Sequence, residues 1–304
     1  MGVGSRGITN LATIVGAVLD QLRGAGAQPF IIPAMGSHGG ATPEGQRDVL
    51  TGYGVTEDAM GVPIRASLEV RQVGTSPDGV PVFCSVEALD ADGISLINRV
   101  KPPPDVHGGL GSGLLKMSVI GLGKRAGASA MHSAASRLGF ERVLRGMAVT
   151  QLRSAPILGG VAILENQFHD TARLVVVPRA EMETAEDALL VEARGLMPLL
   201  PFDEIDLLIV DRLGKNVSGA GMDPNVIGRG VQGYSSALKR DGRPSPFIRR
   251  IFVRDLTPET HGNAVGIGLA DVTTSRLVRA LDHRMTYRNS LTAPSQPCPN
   301  VPSH

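Results

Sequence analysis

The sequence predicts an α/β protein of two domains, built around a mixed but largely parallel sheet. Short apolar runs with strand character alternate with amphipathic segments of helical period along most of the chain. Glycine-rich loops follow several of these runs, and open α/β sheets bind ligands at the carboxyl ends of their strands. A chain of 304 residues is long enough for two domains. We place them at 1–150 and 151–304, with the boundary anywhere between 150 and 200, from the change in helix density.

The composition excludes several classes of function. Hydrophobic residues make up 42% of the chain and charged residues 19%, which predicts a substantial buried core. The net charge is +1, no basic block is present and tryptophan is absent, so we expect neither a nucleic-acid nor a membrane partner. The two cysteines, Cys84 and Cys298, form no CxxC pattern. The chain shows no secretory signal or long apolar run, which predicts a cytoplasmic protein.

Helices and strands alternate through the amino-terminal half of the sequence. Leu11, Ile14, Val15 and Val18 give residues 8–22 a helical period, and glycines end that segment. The rest of this half is predicted as a strand at 29–32, a helix at 43–53, two or three strands within 62–89 with a turn at SPDG, a buried strand at 93–100, a helical segment at 114–122, and helices over 126–152 that break near Gly139.

The carboxyl-terminal half continues the alternation. It is predicted to contain strands at 159–164 and 174–177, a helix at 185–200, a fully buried strand at 207–210, a strand at 247–253, a helix that ends at Leu281, and a polar tail with prolines.

The segment PAMGSHGGATPEGQ, residues 33–46, carries the first candidate functional residue. An apolar strand leads into a loop in which His38 lies between glycines, and a helix follows. Thr42 is a good N-cap, and Pro43 suits the first helical position because no amide donor is needed there. His38 is therefore expected at the carboxyl end of a strand, where ligands bind. The alternative is a loop histidine that only makes local hydrogen bonds.

Three glycine-rich loops, at 36–42, 102–113 and 214–225, follow apolar strands. None fits the P-loop or the dinucleotide fingerprint, which disfavours an ordinary NAD-dependent dehydrogenase. In GLGSGL, the backbone amides of Gly111, Ser112 and Gly113 run into a helix that carries Lys116. Exposed amides at such a place form a cradle for phosphate or carboxylate. The alternative for Lys116 is an ordinary solvated helical lysine.

The histidines give no self-contained zinc site, since none are spaced as HxxxH or HxH. His132 lies among small residues in SAMHSAASRLG, where a ligand or a backbone could approach closely, although most such histidines are packed or surface residues. His107 lies in the middle glycine loop, and His261 lies in THGN after a strand.

These fragments, in this order, resemble the nickel-dependent lactate racemase family, and in particular a large uncharacterised branch of it. The resemblance covers most of the chain. The matching segments are GSRGI (4–8), PFIIPAMGSHGGATPEGQ (29–46), YGVTEDAMGVPI (53–64), INRVKP (97–102), SGLLKMSVIGLGKRAGA (112–128), GKNVSGAGMDPNVIGR (214–229) and THGNAVGIGLADVTT (260–274).

The resemblance implies a two-domain α/β enzyme with its active site in the interdomain cleft. The implied cofactor is a nickel-pincer nucleotide, a pyridinium-3-thioamide-5-thiocarboxylic acid mononucleotide whose two sulfur arms and ring carbon hold nickel. Lys116 is similar to the lysine that tethers this cofactor through a thioamide, and His132 is similar to the nickel ligand of the protein. The implied reaction is racemisation or epimerisation of a 2-hydroxy acid or sugar acid by hydride transfer, which avoids a carbanion beside a carboxylate.

The resemblance also implies roles toward the substrate. His38 matches the first of two acid/base histidines, and Arg6 in GSRGI matches the arginine that polarises the substrate. Lys215 and Asn225, in the second domain, are our candidates for binding the substrate carboxylate.

One departure from the family pattern concerns the second acid/base histidine. That histidine is usual in a KPHTD-like segment, but this chain reads KPPPD, with Pro103 at the position. His107 is a candidate substitute from the same loop. The chain is also expected to be short at both ends, as in a truncated or degenerate member. A non-catalytic protein that binds a nucleotide or a hydroxy acid is therefore the alternative, favoured by Pro103, whereas the presence of His38, Lys116 and His132 together favours the isomerase.

Overall fold

The computed structural model describes residues 1–4, 7–102, 110–229 and 246–292, with side chains as far as residue 287. Arg6, Pro103 and His107 lie outside the described residues, as does Cys298. The chain divides into two compact units, Met1–Met197 and Pro198–His304.

Unit 1 contains two groups of hydrogen-bonded strands. Its strands are β1 (Gly2–Val3), β2 (Ile32–Pro33), β3 (Val70–Thr75), β4 (Pro81–Ser85), β5 (Ile94–Arg99), β6 (Ile157–Glu165) and β7 (Thr171–Pro178). The main sheet has the order β2-β1-β5-β6-β7 and is parallel except for the antiparallel pair β6–β7. β3 and β4 form a separate antiparallel hairpin. The predicted α/β class with a largely parallel sheet is confirmed.

The predicted helical segments of unit 1 are present in the predicted order, with bounds that differ by a few residues, whereas the short helices at 57–60 and 86–89 were not predicted. The helices of this unit are α1 (Leu11–Gly24), α2 (Pro43–Gly52), α3 (Glu57–Met60), α4 (Val86–Leu89), α5 (Leu114–Lys116), α6 (Lys124–Leu138), α7 (Phe140–Ser154) and α8 (Met182–Gly195). Thr42 caps α2 by accepting the amide of Gly45, and Pro43 occupies the first turn, as predicted. Gly139, at φ +88°, separates α6 from α7, as the sequence also indicated.

The main sheet is covered by helices on both faces, which gives unit 1 three layers. Along β6, Val161 and Ile163 pack in one apolar cluster with α1, α2 and α3. Ala162 and Leu164 point to the opposite face and belong to the cluster formed with α5, α6, α7 and α8. Strand residues alternate between faces with a period of two, so one strand supplies both layers.

The first compact unit ends at Met197, near the upper end of the range of 150 to 200 in which we placed the boundary. β6 lies between β5 and β7 in the main sheet, and α8 packs into the same core as α6 and α7. Strand pairing therefore keeps the chain as far as Met197 in unit 1.

Unit 2 is built on a parallel sheet of order β10-β9-β8. Its elements are β8 (Glu204–Leu213), α9 (Pro224–Ile227), β9 (Phe247–Leu256), β10 (Val272–Thr273), α10 (Ser275–Ala280) and α11 (His283–Thr292). The predicted strands and the helix that ends near Leu281 are present. α11 lies where a polar tail was predicted, because its composition gives little apolar period.

The prediction that residues 207–210 form a fully buried strand is wrong. Leu207 is 54% exposed and Ile209 is 59% exposed, whereas Leu208 and Val210 pack against the core of unit 2. β8 lies at an edge of its sheet, and the described residues cover only one of its faces. A continuous apolar run is typical of a strand covered on both faces, and for this reason the run at 207–210 led to the prediction of a fully buried strand.

Within the described residues, no helix has the length and apolarity required to cross a membrane.

Candidate functional site

Three segments singled out in the sequence leave the same edge of the main sheet. β2, β1 and β5 are adjacent and parallel, so their carboxyl ends lie together. The His38 loop follows β2, GSRGI follows β1, and the segment with Lys101 follows β5. The chain passes from β1 to β2 on one side and later returns to β5 on the other. Open α/β sheets bind ligands at such a point of reversal.

The His38 loop is a tight structure built on close backbone approaches. The amide of His38 donates to Met35 O at 3.1 Å, and the carbonyl of His38 accepts the amide of Ala41 at 3.2 Å. Gly39 has φ +62°, and a Cβ atom at Gly45 would lie 2.0 Å from its carbonyl oxygen. Glycine is therefore required at both places, and the half-buried His38 is held at the start of this turn.

A buried pair of polar side chains lies beneath the loop. Gln46 Nε2 donates to Gly36 O at 2.8 Å and to His38 O at 3.4 Å. Its Oε1 accepts from Lys124 Nζ at 3.3 Å, and Lys124 Nζ also donates to Pro33 O at 2.5 Å. Burial lowers the pKa of Lys124 to about 8, against which the nearby Cys84 and Glu87 act in the opposite direction.

Sequence reasoning did not select Lys124. It lies within SGLLKMSVIGLGKRAGA, the segment that also carries Lys116. Its place in a long segment that resembles the family was the signal that could have indicated it. Its contacts with Pro33 and Gln46 could not be predicted, because no rule of sequence spacing relates these three positions.

Lys116 and His132 are brought together by an irregular helix. α5 ends at Lys116, a π-helical turn covers Met117–Gly121, and α6 then carries His132. Partial burial of the ring and the positive charge of Lys116 both lower the pKa of His132. The Lys116 ammonium lies 5.6 Å from the ring centroid of Phe140. Single π turns inside helices often occur at functional sites.

The entrance to α5 differs from the exposed cradle predicted at GLGSGL. Gly111 and Gly113 are buried, and Ser112 pairs with Lys101 through two backbone hydrogen bonds. The amide of Leu115 donates to Glu186 Oε2 at 2.8 Å. A carboxylate of α8 thus accepts the first amides of α5, and the roles of Gly111, Ser112 and Gly113 in cofactor binding stay a prediction.

Glu186 is a second functional candidate that the sequence did not indicate. It is 2% exposed, and burial raises its pKa to about 7, although hydrogen bonds from the amides of Leu115 and Leu114 act in the opposite direction. A Cβ atom at Gly113 would lie 2.4 Å from Glu186 Oε1, so this glycine permits the close approach. Asn98 Nδ2 donates to Gly113 O at 2.9 Å and ties the same segment to β5.

The residues after Arg6 are well anchored, although Arg6 itself lies outside the described residues. The amide of Gly7 donates to the hydroxyl of Tyr53 at 2.7 Å, and Arg99 Nη1 donates to Gly7 O at 2.8 Å. Arg99 also pairs with the buried carboxylate of Glu165. Arg99, at the end of β5, thus holds the backbone at Gly7, next to Arg6, the residue that is predicted to bind the substrate.

In unit 2, Lys215 lies in the glycine-rich loop after β8, and Asn225 lies in α9, the short helix that follows this loop. The amide of Lys215 donates to Thr260 Oγ1 at 3.5 Å, and Asn225 donates from its backbone and its side chain to Asp223 Oδ1. A Cβ atom at Gly221 would lie 1.8 Å from Val265 O, so this loop and GNAVGIG pack backbone against backbone. Their predicted role toward a carboxylate stays a prediction.

Comparison with solved structures places the chain among α/β folds like that of lactate racemase. The lactate racemase apoprotein from Thermoanaerobacterium thermosaccharolyticum is similar with a TM-score of 0.54 and 14% identity, over 83% of this chain and 60% of that one. A protein from Thermotoga maritima is similar with a TM-score of 0.52 and 14% identity, over 83% of this chain and 64% of that one.

Both likenesses are at the level of the fold, and this chain spans less than two thirds of the length of either protein. No protein-family profile matches the sequence. No curated protein matches it either.

Proposed function

We propose that this protein is an isomerase of a 2-hydroxy acid or sugar acid that uses a nickel-pincer nucleotide. The observation that carries the proposal is the proximity of Lys116 and His132, joined by a π turn that packs on the His38 loop. A Cβ atom at Gly36 would lie 2.9 Å from the side chain of Ile120, which shows how closely loop and turn approach. The racemase-like fold and the cytoplasmic location predicted from the sequence are consistent with it.

The residues present fit such a cofactor. Among the described residues, no three His, Cys, Asp or Glu side chains are grouped to hold a metal ion. A pincer nucleotide supplies most of the metal donors itself, so the protein needs to add only one. His132 suits that role because its lowered pKa favours the neutral imidazole that metals bind. Lys116 would carry the covalent attachment. When bound, the cofactor supplies a hydride acceptor and donor.

The chain's own residues would handle the substrate and its proton. An imidazole nitrogen of His38 would accept the proton of the 2-hydroxyl group, and a positioned base of this kind contributes about 10² to 10⁴ in rate. Arg6 would orient the hydroxyl oxygen, and Lys215 with Asn225 would bind the carboxylate. Pro103 carries no titratable group, so His107 is our candidate for returning the proton on the opposite face.

Intact mass and nickel content of the protein, purified from a host that makes the cofactor, test this proposal. We expect a covalent adduct that peptide mapping assigns to Lys116 and that is lost in Lys116→Ala. We expect nickel to fall in His132→Ala, and racemisation of at least one 2-hydroxy acid to disappear in both variants. An unmodified Lys116 in the loaded host would contradict the proposal. Binding of a nucleotide or hydroxy acid without turnover would favour the non-catalytic alternative.

A further inference from the structure

Lys124 stands at a position that is unfavourable for lysine in two respects. Its backbone has φ +53°, in the left-handed region that side chains other than glycine and asparagine seldom adopt. Its side chain is completely buried, and a buried ammonium loses its hydration. Strain and burial of charge at one residue are commonly retained where a site requires them.

Both hydrogen-bond acceptors of the Lys124 ammonium belong to the segment that carries His38. Pro33 O is at the end of β2, immediately before the loop, and Gln46 Oε1 is in α2, immediately after it. Gln46 is itself fully buried, and its amide nitrogen extends the chain of hydrogen bonds to the carbonyls of Gly36 and His38. One side chain of α6 therefore joins the two ends of the loop from below.

The same contact region connects the loop with the segment that carries Lys116. A Cβ atom at Gly121 would lie 2.7 Å from Ala34 O. The π turn, which ends at Gly121, therefore packs closely against the backbone that leads from β2 into the loop. A bridge at Lys124 fixes the loop relative to α6, the helix on which His132 lies.

We propose that Lys124 and Gln46 form a buried bridge that sets the position of His38, which makes both of them positioning residues. The inference rests on the proposed function for the meaning of His38, but the bridge itself is a property of unit 1. It predicts an unusual combination of effects. Removal of the Lys124 ammonium should loosen the loop with only a modest change in the stability of the protein, because the cost of leaving Pro33 O and Gln46 Oε1 without this donor is offset by the removal of a buried charge.

The test uses hydrogen exchange and thermal unfolding of the full chain. Lys124→Met and Gln46→Met each break the bridge with a side chain of similar length, and Gln151→Met is the control. Gln151 is a fully buried glutamine on α7 beside Cys84. We expect the amide of His38 to exchange at least tenfold faster in both bridge variants and within twofold of the parent in the control. Exchange at the amides of β5 and β6 should stay unchanged, and the Tm of Lys124→Met should stay within a few degrees of that of the parent.

Exchange at His38 within twofold of the parent in both variants would overturn the proposal. A lowered Tm with faster exchange throughout unit 1 would also overturn it, since Lys124 would then be an ordinary part of the core. If Lys124→Met fails to fold, it overturns the claim about stability, and Gln46→Met still reports on the loop.

Activity adds a readout that distinguishes the two proposals. In a racemase, both bridge variants should lower kcat at least tenfold with little change in KM, whereas Gln151→Met should not. If the parent protein turns over no 2-hydroxy acid, the proposed function fails, and the exchange data still decide whether the bridge sets the loop.

Discussion

At the scale of single residues, two ionisable side chains in the core of unit 1, Glu186 and Lys124, contact the segments that bear the candidate site residues. Glu186 caps the segment that bears Lys116, and Lys124 lies beneath the His38 loop. Burial disfavours the charged form of each side chain. It raises the pKa of Glu186 to about 7 and lowers the pKa of Lys124 to about 8. Their shifts give unfolding a dependence on pH that can be measured.

Glu186 should make the protein less stable as the pH rises from about 4.5 to about 7. Its pKa is raised on folding, so the folded state holds more protons than the unfolded state in this window, and stability falls with pH. Glu186→Gln removes this effect and keeps an acceptor for the Leu115 amide. We expect the variant to gain up to roughly 3 kcal/mol over the parent between pH 4.5 and pH 8. Denaturant unfolding at the two pH values measures the gain, and a difference that is constant with pH would contradict the assignment.

Lys116 should hold the pKa of His132 down. Burial is the larger cause of the lowered pKa and the Lys116 charge is the smaller one. Lys116→Met should therefore raise the pKa of His132 without restoring the full value of about 6.5 for a free histidine. NMR titration of the His132 ring provides the measurement. Arg23→Met, on α1 at the opposite face of the main sheet, serves as the control and should leave the titration unchanged. An identical midpoint in Lys116→Met would show that the two side chains are apart.

At the scale of elements, the turn from β2 into α2 depends on contacts between backbones. α2 has a well-formed N-cap at Thr42, which its sequence specifies locally. The loop before it is closed by the approach of Gly39 to Gly45, where neither residue has space for a methyl group. The position of His38 thus requires that both residues lack a Cβ atom.

Gly45→Ala and Gly52→Ala should have opposite effects although both change a glycine of α2. The new Cβ at Gly45 would lie 2.0 Å from Gly39 O, so the turn must deform, and we expect a loss of about 1 to 3 kcal/mol of unfolding free energy. At Gly52 nothing lies within 4 Å, and alanine favours the helix, so a gain of about 0.5 to 1 kcal/mol is expected. Urea unfolding of the two variants checks both values, and equal effects would contradict the close approach.

At the scale of the whole molecule, the chain forms two units whose sheets are covered differently. In unit 1, helices cover both faces of the main sheet. In unit 2, the apolar side chains of β8 divide between the core and an exposed face. Truncation of a side chain should therefore change the stability of the protein differently on a covered face and on an exposed face.

Truncation of an exposed side chain of β8 should lower the free energy of unfolding little, whereas truncation of a buried side chain of the neighbouring β9 should lower it strongly. Ile209→Ala should change the unfolding free energy by less than about 0.5 kcal/mol, because the side chain is mostly exposed. Ile251→Ala, on the neighbouring β9 and fully buried, should cost about 2 to 5 kcal/mol. The measurement is denaturant unfolding followed by a probe in unit 2. A large loss in Ile209→Ala would mean that this face is covered.

Features that depend on neighbours along the chain could be predicted from the amino-acid sequence. The alternation of strands and helices, the Thr42 cap with Pro43 and the break at Gly139 follow from local propensity and backbone geometry, and the structure agrees with them. The choice of His38, Lys116 and His132 came from motifs that resemble a family. The sequence could not assign the exposed face of β8, since the same apolar run serves a strand covered on one face or on two.

The order of the strands in the main sheet and the hydrogen-bond partners of the buried charged side chains could not be predicted from the sequence. Lys124 meets Pro33 and Gln46, and Glu186 meets Leu115, across long stretches of chain. No local preference encodes such pairs, because they form when strand pairing and helix packing bring distant segments together and bury their polar groups. A buried ammonium or carboxylate must then find whatever acceptors or donors the fold places beside it, since water is no longer available to solvate it.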